Sequence, residues 1–401
     1  MSGSLHEQKI RQAGAILDEM GVDAWLTFVR ETAAAGDPAL PFLLDGGLTW
    51  ESALILTRRG ERIAIVGSLD AAAVERSGLW GEVIPYVEGI RAILRATLER
   101  LNLGSLAINY SRDDVQADGL AHGLYLVLLE HLEGLAIRER LASAEGIIRR
   151  LRGRKTPAEV ERIRRATAAA EEIFALAGRS ARPGMTEAAL ARLMKEEAAR
   201  RGLETAWDPL QCPIVNTGPL SAAGHGVPSE LRIEPGHLLH VDFGVRCDGY
   251  CSDLQRMWYV PRAGEREAPA DAIRAFDALR GSIQKTAAAL RPGLLGREGD
   301  AIARRAVAEA GFPDYAHGTG HNVGRATHDG GGGLLPLWER YGESPRWPIE
   351  AGNVLTIEPS IARVGERGCM GLEEMVLITE SGCEFLSRPQ GEIWLAGLQG
   401  R

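Results

Sequence analysis

One phrase occurs twice in this chain, 116 residues apart (233 to 349): Ile233-Glu234-Pro235-Gly236-His237-Leu238-Leu239-His240-Val241-Asp242 and Ile349-Glu350-Ala351-Gly352-Asn353-Val354-Leu355-Thr356-Ile357-Glu358. Each copy closes on a carboxylate. A second echo lies upstream of each: Arg182-Pro183-Gly184-Met185 opens a helical run to Gly202, and Arg291-Pro292-Gly293-Leu294 opens another to Gly311. A repeated αβ unit must bury its apolar face against a neighbour, so the repeat predicts two halves of one fold facing each other.

Turn chemistry then places the acids. After Asp242 comes Asp248-Gly249 between β-rich runs, the strongest short hairpin signal. With these two as the loop, Cys247 opposes Tyr250 and Gly244 opposes Asp253, so Asp242 and Asp253 are diagonal neighbours on one face. In the second half, a turn centred on Glu366-Arg367, between Gly365 and Gly368, sets Ser360 opposite Glu373 with Glu358 diagonal to it. Four carboxylates converge from two hairpins. A lone strand acid usually sits on a solvated face, but four together repel one another unless a divalent cation neutralises them.

Histidines fall beside these acids: His317-Gly318-Thr319-Gly320-His321 and His328 lie between the hairpins, and His225 precedes the first. The glycines around His321 argue for a loop that lets imidazoles approach a ligand rather than for a helix.

In order and context, His225, Asp242, Asp253, His317 to His321, His328, Glu358 in Thr-Ile-Glu-Pro and Glu373 in Gly-Leu-Glu-Glu-Met resemble the pita-bread metallopeptidases (family M24) over roughly residues 150 to 400. That family includes Xaa-Pro dipeptidase (prolidase), aminopeptidase P and methionine aminopeptidase. The resemblance implies an α/β (α+β) chain with an N-terminal creatinase- or prolidase-like domain over 1–148 and a catalytic pita-bread domain with a pseudo-twofold repeat over 149–401. It implies two divalent metal ions, Mn²⁺ first and Co²⁺ or Zn²⁺ as alternatives, with Asp242 on one, His321 and Glu358 on the other, and Asp253 and Glu373 bridging both. By the same resemblance a bridging hydroxide is the nucleophile and Glu358 shuttles the proton. His225 and His328 hydrogen-bond the substrate, and His317 shapes the leaving-group side. An oxygen-rich set with one imidazole suits such metals better than thiolate-selective ones.

Two departures stand out. Members of the prolidase and aminopeptidase P type usually carry Arg two residues before the final ligand, where this chain has Gly371. Asn322 follows the histidine loop where glycine is usual.

At 401 residues the chain is long enough for two domains with good cores, and a net charge of −8 argues against nucleic acid as a partner. Five cysteines without a Cys-x-x-Cys pair point to a reducing, cytoplasmic setting. The start lacks a secretory pattern, and no apolar run is long enough to span a bilayer. Residues 1 to about 145 read as a separate α/β unit without a catalytic cluster: a helix at Leu5–Met20 and strands at Ala24–Phe28, Ser52–Thr57, Arg62–Gly67 and Leu106–Tyr110. The resemblance implies that this unit helps close the active site and build a homodimer. Thr156-Pro157-Ala158-Glu159 supplies an N-cap, an N1 proline and a capping-box acid for a helix near the start of the catalytic unit.

Gly330 to Gly333 lacks the Gly-Lys-Ser/Thr ending of a phosphate loop and reads as a flexible loop beside the site. Trp207, Trp338 and Trp347 are candidates to line a pocket for a proline ring. The expected activity is metal-dependent hydrolysis of the peptide bond preceding proline, in Xaa-Pro dipeptides, with aminopeptidase P action on Xaa-Pro peptides as the alternative. A small-molecule hydrolase or lyase on the same fold, or a catalytically dead interaction module, are the rivals; retention of all five ligand positions opposes both.

Overall fold

The computed structural model describes residues 4–221, 224 and 226–397. The chain divides into two compact units, Met1–Arg152 and Gly153–Arg401, and each is described by itself. Among the described residues no helix is long and apolar enough to cross a membrane.

The first unit is a mixed sheet between two layers of helix. Its six strands lie in the order Glu82–Tyr86, Arg62–Gly67, Ser52–Thr57, Ala24–Val29, Leu106–Ile108, Leu141–Ser143. Helix α1 (Leu5–Met20) starts at a reciprocal capping box between Ser4 and Glu7, and Gly21 ends it in the left-handed conformation. Alternate residues of one strand feed opposite faces: Trp25 and Val29 join the core under α1, whereas Ala24, Leu26 and Phe28 join the other core. Helices α2 (Ser68–Arg76) and α5 (Glu145–Gly153) cover the α1 face; α3 (Arg91–Leu101) and α4 (His122–His131) cover the opposite one. Burial on both faces explains why these strands read as continuous apolar runs.

The second unit is built from the sequence repeat. Helix α6 (Pro157–Ser180) begins at the expected capping box of Thr156 and Glu159, followed by α7 (Glu187–Arg200). Helices α8 (Ala270–Ala289) and α9 (Gly296–Glu309) repeat the pair. The echoes make matching hydrogen bonds. Gly184 N donates to Ile233 O and Ile233 N to Met185 O; in the other half Gly293 N donates to Ile349 O and Ile349 N to Leu294 O. Each phrase then turns at a positive-φ glycine, Gly236 (93°) or Gly352 (86°). Each passes into a strand, Leu238–Phe243 or Val354–Ile357. These strands pair antiparallel with Leu254–Tyr259 and Glu374–Ile378 respectively. The apolar face of α8, with Phe276, Leu279 and Ile283, packs in one core with Met257 and Tyr259 of the first half and Leu355, Ile357 and Val376 of the second. The other faces of the two ribbons are left to present polar side chains.

Candidate metal centre

The first ribbon follows its turn. Asp248 (φ 48°) and Gly249 (φ 77°) both adopt the left-handed conformation, as a type I′ hairpin loop requires. Cys247 pairs with Tyr250, and the same register sets Phe243 opposite Leu254 and Asp242 opposite Gln255. Asp253 therefore lies diagonal to Asp242, on the same face. Gly244 is needed where the strands cross, because a β-carbon there would stand 1.9 Å from the Ser252 carbonyl oxygen.

The second ribbon corrects the predicted pairing. The turn sits on Gly365-Glu366, closed by Arg367 N to Val364 O at 3.0 Å. Ser360 faces Gly371 and Ile357 faces Glu374, so the register brings Glu358 directly opposite Glu373 instead of diagonal to it. Moving a turn by one residue shifts the pairing by two, and a shift of two keeps every side chain on its face. The convergence of acids survives the error.

The ribbons meet at an isolated bridge between Gln255 and Glu373, where Glu373 N donates to Gln255 O at 3.4 Å. His321 comes in from a third direction on the two-residue strand Gly320–His321, paired with Gly333–Leu334. One potential ligand atom from each of Asp253, His321 and Glu373 lies within 4.8 Å of the other two. His321 Nε2 is 3.4 Å from Asp253 Oδ2 and 3.3 Å from Glu358 Oε1. Its Nδ1 is 3.3 Å from the Asn322 carbonyl, which can only accept, so Nδ1 carries a proton and Nε2 is the ring nitrogen turned to the acids.

A divalent cation among these atoms would hold the imidazole and the carboxylate oxygens together. Asp242 Oδ1 and Glu373 Oε1 are buried without a hydrogen-bond partner. Among the described residues no lysine or arginine pairs with any of the four acids; Arg256 is committed to Glu374 at 3.0 Å. Burial, and then mutual repulsion, holds Asp242, Glu358 and Glu373 well above the usual carboxylate range. Burial pushes Asp253 up to about 7. Buried carboxylate oxygens short of cations, with one imidazole beside them, fit hard or borderline divalent metal ions.

The other histidines divide. The His328 ring stands edge-on to His321 with centroids 4.2 Å apart, on an exposed position beside the cluster. His317 Nδ1 lies 2.8 Å from Gly318 O, and its Nε2 lies 2.7 Å from Ser360 Oγ. His225 lies outside the described residues. The glycine run is tied rather than loose: Gly330 to Gly332 all have positive φ, and Asn322 Nδ2 donates to the Gly331 and Gly332 carbonyls at 3.3 and 3.1 Å. Asn322, one of the two departures in the sequence, thus fastens that run beside His321. Trp207, Trp338 and Trp347 are each half-buried; Trp338 stacks on Tyr341, with the Arg304 and Arg340 guanidinium groups over its ring.

Three contributors escaped the sequence reading. Thr356 Oγ1 accepts from His321 N at 3.0 Å and donates to Glu358 Oε1 at 3.3 Å. Gln255 Nε2 donates to Glu358 Oε2 at 3.2 Å. His240 lies 2.9 Å from Gln255 Oε1, and burial lowers its imidazole to about 4, so it is neutral. The hairpin register already put Gln255 opposite Asp242, but a neutral side chain gives no charge signal.

Residues 161–380 match the family described as Metallopeptidase family M24, more than half of the chain. The chain belongs to that family. Among curated relatives of this M24 chain, an Xaa-Pro dipeptidase of Pyrococcus furiosus is 28% identical over 276 residues, covering 69% of this chain and 74% of its own. An uncharacterized peptidase of Bacillus subtilis is 30% identical over 248 residues, 61% of this chain and 65% of that one. Among solved structures, an Xaa-Pro dipeptidase from Bacillus anthracis superposes with a TM-score of 0.75 at 23% identity, covering 97% of this chain and 99% of the other. An X-Pro aminopeptidase from Thermotoga maritima gives 0.71 at 22% identity, covering 96% and 99%. The M24 chain therefore has the pita-bread fold behind an N-terminal α/β unit, and it is a peptidase.

Proposed function

We propose that this M24 peptidase hydrolyses the peptide bond preceding proline in Xaa-Pro dipeptides. The observation that carries the reading is the meeting of Asp242, Asp253, His321, Glu358 and Glu373 from two repeat-related ribbons and a third strand, with Asp242 Oδ1 and Glu373 Oε1 buried without a hydrogen-bond partner. Two divalent cations would be held there, Mn²⁺ foremost and Co²⁺ or Zn²⁺ as alternatives. Asp242 would hold one, His321 and Glu358 the other, and Asp253 and Glu373 both. Bound metal would supply an activated water at neutral pH and polarise the scissile carbonyl.

The protein's own groups do the rest. Glu358, oriented by Thr356 and Gln255, takes a proton from the attacking water and passes it to the leaving nitrogen. His328 and His225 donate to the substrate around the tetrahedral centre. His317 exchanges its bond to Ser360 for one to the leaving-group side. In this reading residues 149–401 form the catalytic domain and 1–148 a prolidase-type N-terminal domain, in a cytoplasmic homodimer.

Protein loaded separately with Mn²⁺, Co²⁺ and Zn²⁺ and offered Xaa-Pro dipeptides, Xaa-Pro-Yaa tripeptides and Met-peptides tests the proposal. Release from dipeptides is expected. Cleavage of tripeptides alone makes it an aminopeptidase P, and inactivity on all three with metal bound moves the function to a small non-peptide substrate.

A further inference from the structure

Gly371 faces Ser360 on the second ribbon and has no room for a side chain. A β-carbon there would stand 2.2 Å from Gln255 Oε1 and 2.7 Å from His240 Nε2. The space beside the acids is occupied by a buried polar chain from the first ribbon. Gln255 Nε2 donates to Glu358 Oε2 at 3.2 Å, Gln255 Oε1 lies 2.9 Å from His240 Nε2, Asn216 Oδ1 lies 3.0 Å from His240 Nδ1, and Asn216 Nδ2 donates to Ser221 Oγ at 3.1 Å. All but Ser221 are at least nine-tenths buried, apart from Glu358 itself.

The direction of every bond follows from one fixed end. Gln255 Nε2 is the atom that faces Glu358 Oε2, so the NH2 donates to the carboxyl group and the Gln255 carbonyl turns to His240. That carbonyl can only accept in turn, so His240 must carry its proton on Nε2. Its Nδ1 faces Asn216 Oδ1 as placed, so a ring protonated at Nε2 alone requires the Asn216 amide turned end for end, with its NH2 on Nδ1 and its carbonyl on the Ser221 hydroxyl. The two ends of an amide are isosteric and are set by such a network.

We infer that Gln255 and His240 are positioning residues for Glu358: His240, in its Nε2–H form, locks the Gln255 amide, and the amide holds the carboxylate in the rotamer that reaches the reacting groups. Glycine at 371 is the condition for this pair. The pair orients without adding a positive charge to the acid cluster. The inference rests on the proposed role of Glu358.

The test uses the Zn²⁺-loaded full chain with ¹⁵N-labelled histidine. Long-range ¹H–¹⁵N correlation finds His240 protonated at Nε2 and bare at Nδ1, and Gln255→Met abolishes that preference. With metal content and KM held within about twofold, Gln255→Met lowers kcat about tenfold or more, and His240→Ala acts in the same direction. The double variant is no slower than Gln255→Met alone, because His240 acts only through Gln255. Gly371→Ala reproduces the loss without deleting any hydrogen-bonding group. An Nδ1–H or doubly protonated His240 in the unaltered enzyme overturns the inference, as do additive losses or an unchanged kcat in Gln255→Met. Where a variant fails to fold, the tautomer in the unaltered chain decides. A correct tautomer in a protein that cleaves no peptide sinks the functional reading and leaves the polar chain standing.

Discussion

A β-carbon at Gly320 would stand 2.0 Å from the Thr356 carbonyl oxygen, so the backbone carrying His321 passes closer to the second ribbon than any side chain permits. Gly320→Ala is expected to force the strands apart, cost about 1–3 kcal/mol by overpacking and draw His321 away from the acids. Thermal melting and metal content measured on one sample check it; an unshifted melting point with full metal occupancy contradicts it. Glu358 is the second residue whose geometry predicts a number. Glu358→Gln preserves its volume but removes the proton acceptor and one charged metal ligand, so in protein brought to unaltered metal content kcat should fall about 100-fold or more with little change in KM. Steady-state kinetics on an Xaa-Pro dipeptide decide between that outcome and a pure KM effect.

The element that carries His328 is held from below. Lys155, just ahead of α6, meets Asp329 at 3.1 Å with both side chains buried, while Asp329 Oδ1 accepts from Ala326 N and Asp329 N donates to Asn322 O. Asp329→Ala leaves the Lys155 ammonium buried without that carboxylate, and a loss of about 3–5 kcal/mol is expected in denaturant unfolding. Lys155→Met with Asp329→Leu should recover much of the stability; recovery of turnover depends on whether the loop still aims His328. At this scale much of the site was legible in the chain. Asp248-Gly249 admits one hairpin geometry, because both residues tolerate positive φ, and the pairing followed from it. The second turn was misplaced because Gly365 (φ 53°) and Gly368 (φ 116°) both take such conformations and offer two centres. The error left the acids on the correct face, since the side-chain period is two. Gln255 and His240 were passed over because their role depends on Gly371 leaving space, a relation between strands that no local pattern announces.

For the molecule as a whole, the repeat is the economy of the fold: matching bonds at Gly184 and Gly293, and matching turns at Gly236 and Gly352, bring two acid-bearing ribbons together. The cost is electrostatic. A carboxyl whose folded-state value lies above its unfolded value imposes no penalty below the unfolded value and its full penalty above the folded one. For Asp253, raised from 3.8 to about 7, that window runs from about pH 4 to 7, and Asp242, Glu358 and Glu373 move in the same direction. Chelator-treated protein should therefore lose melting temperature as pH rises from 5 to 8, each such carboxyl removing at most about 1.4 kcal/mol for every pH unit crossed inside its window. Added Mn²⁺ should restore most of the loss at pH 8 and little at pH 5, because cations and protons compete for the same oxygens. A melting temperature that rises over that range without metal contradicts the crowding of ionisable acids.

The central claim is that these acids and His321 form one divalent-cation site. Anomalous diffraction at the manganese edge from crystals of Mn²⁺-loaded protein tests it most directly. Two peaks within bonding reach of Asp242, Asp253, His321, Glu358 and Glu373 are predicted; an empty cluster in protein that carries its manganese elsewhere would contradict the account.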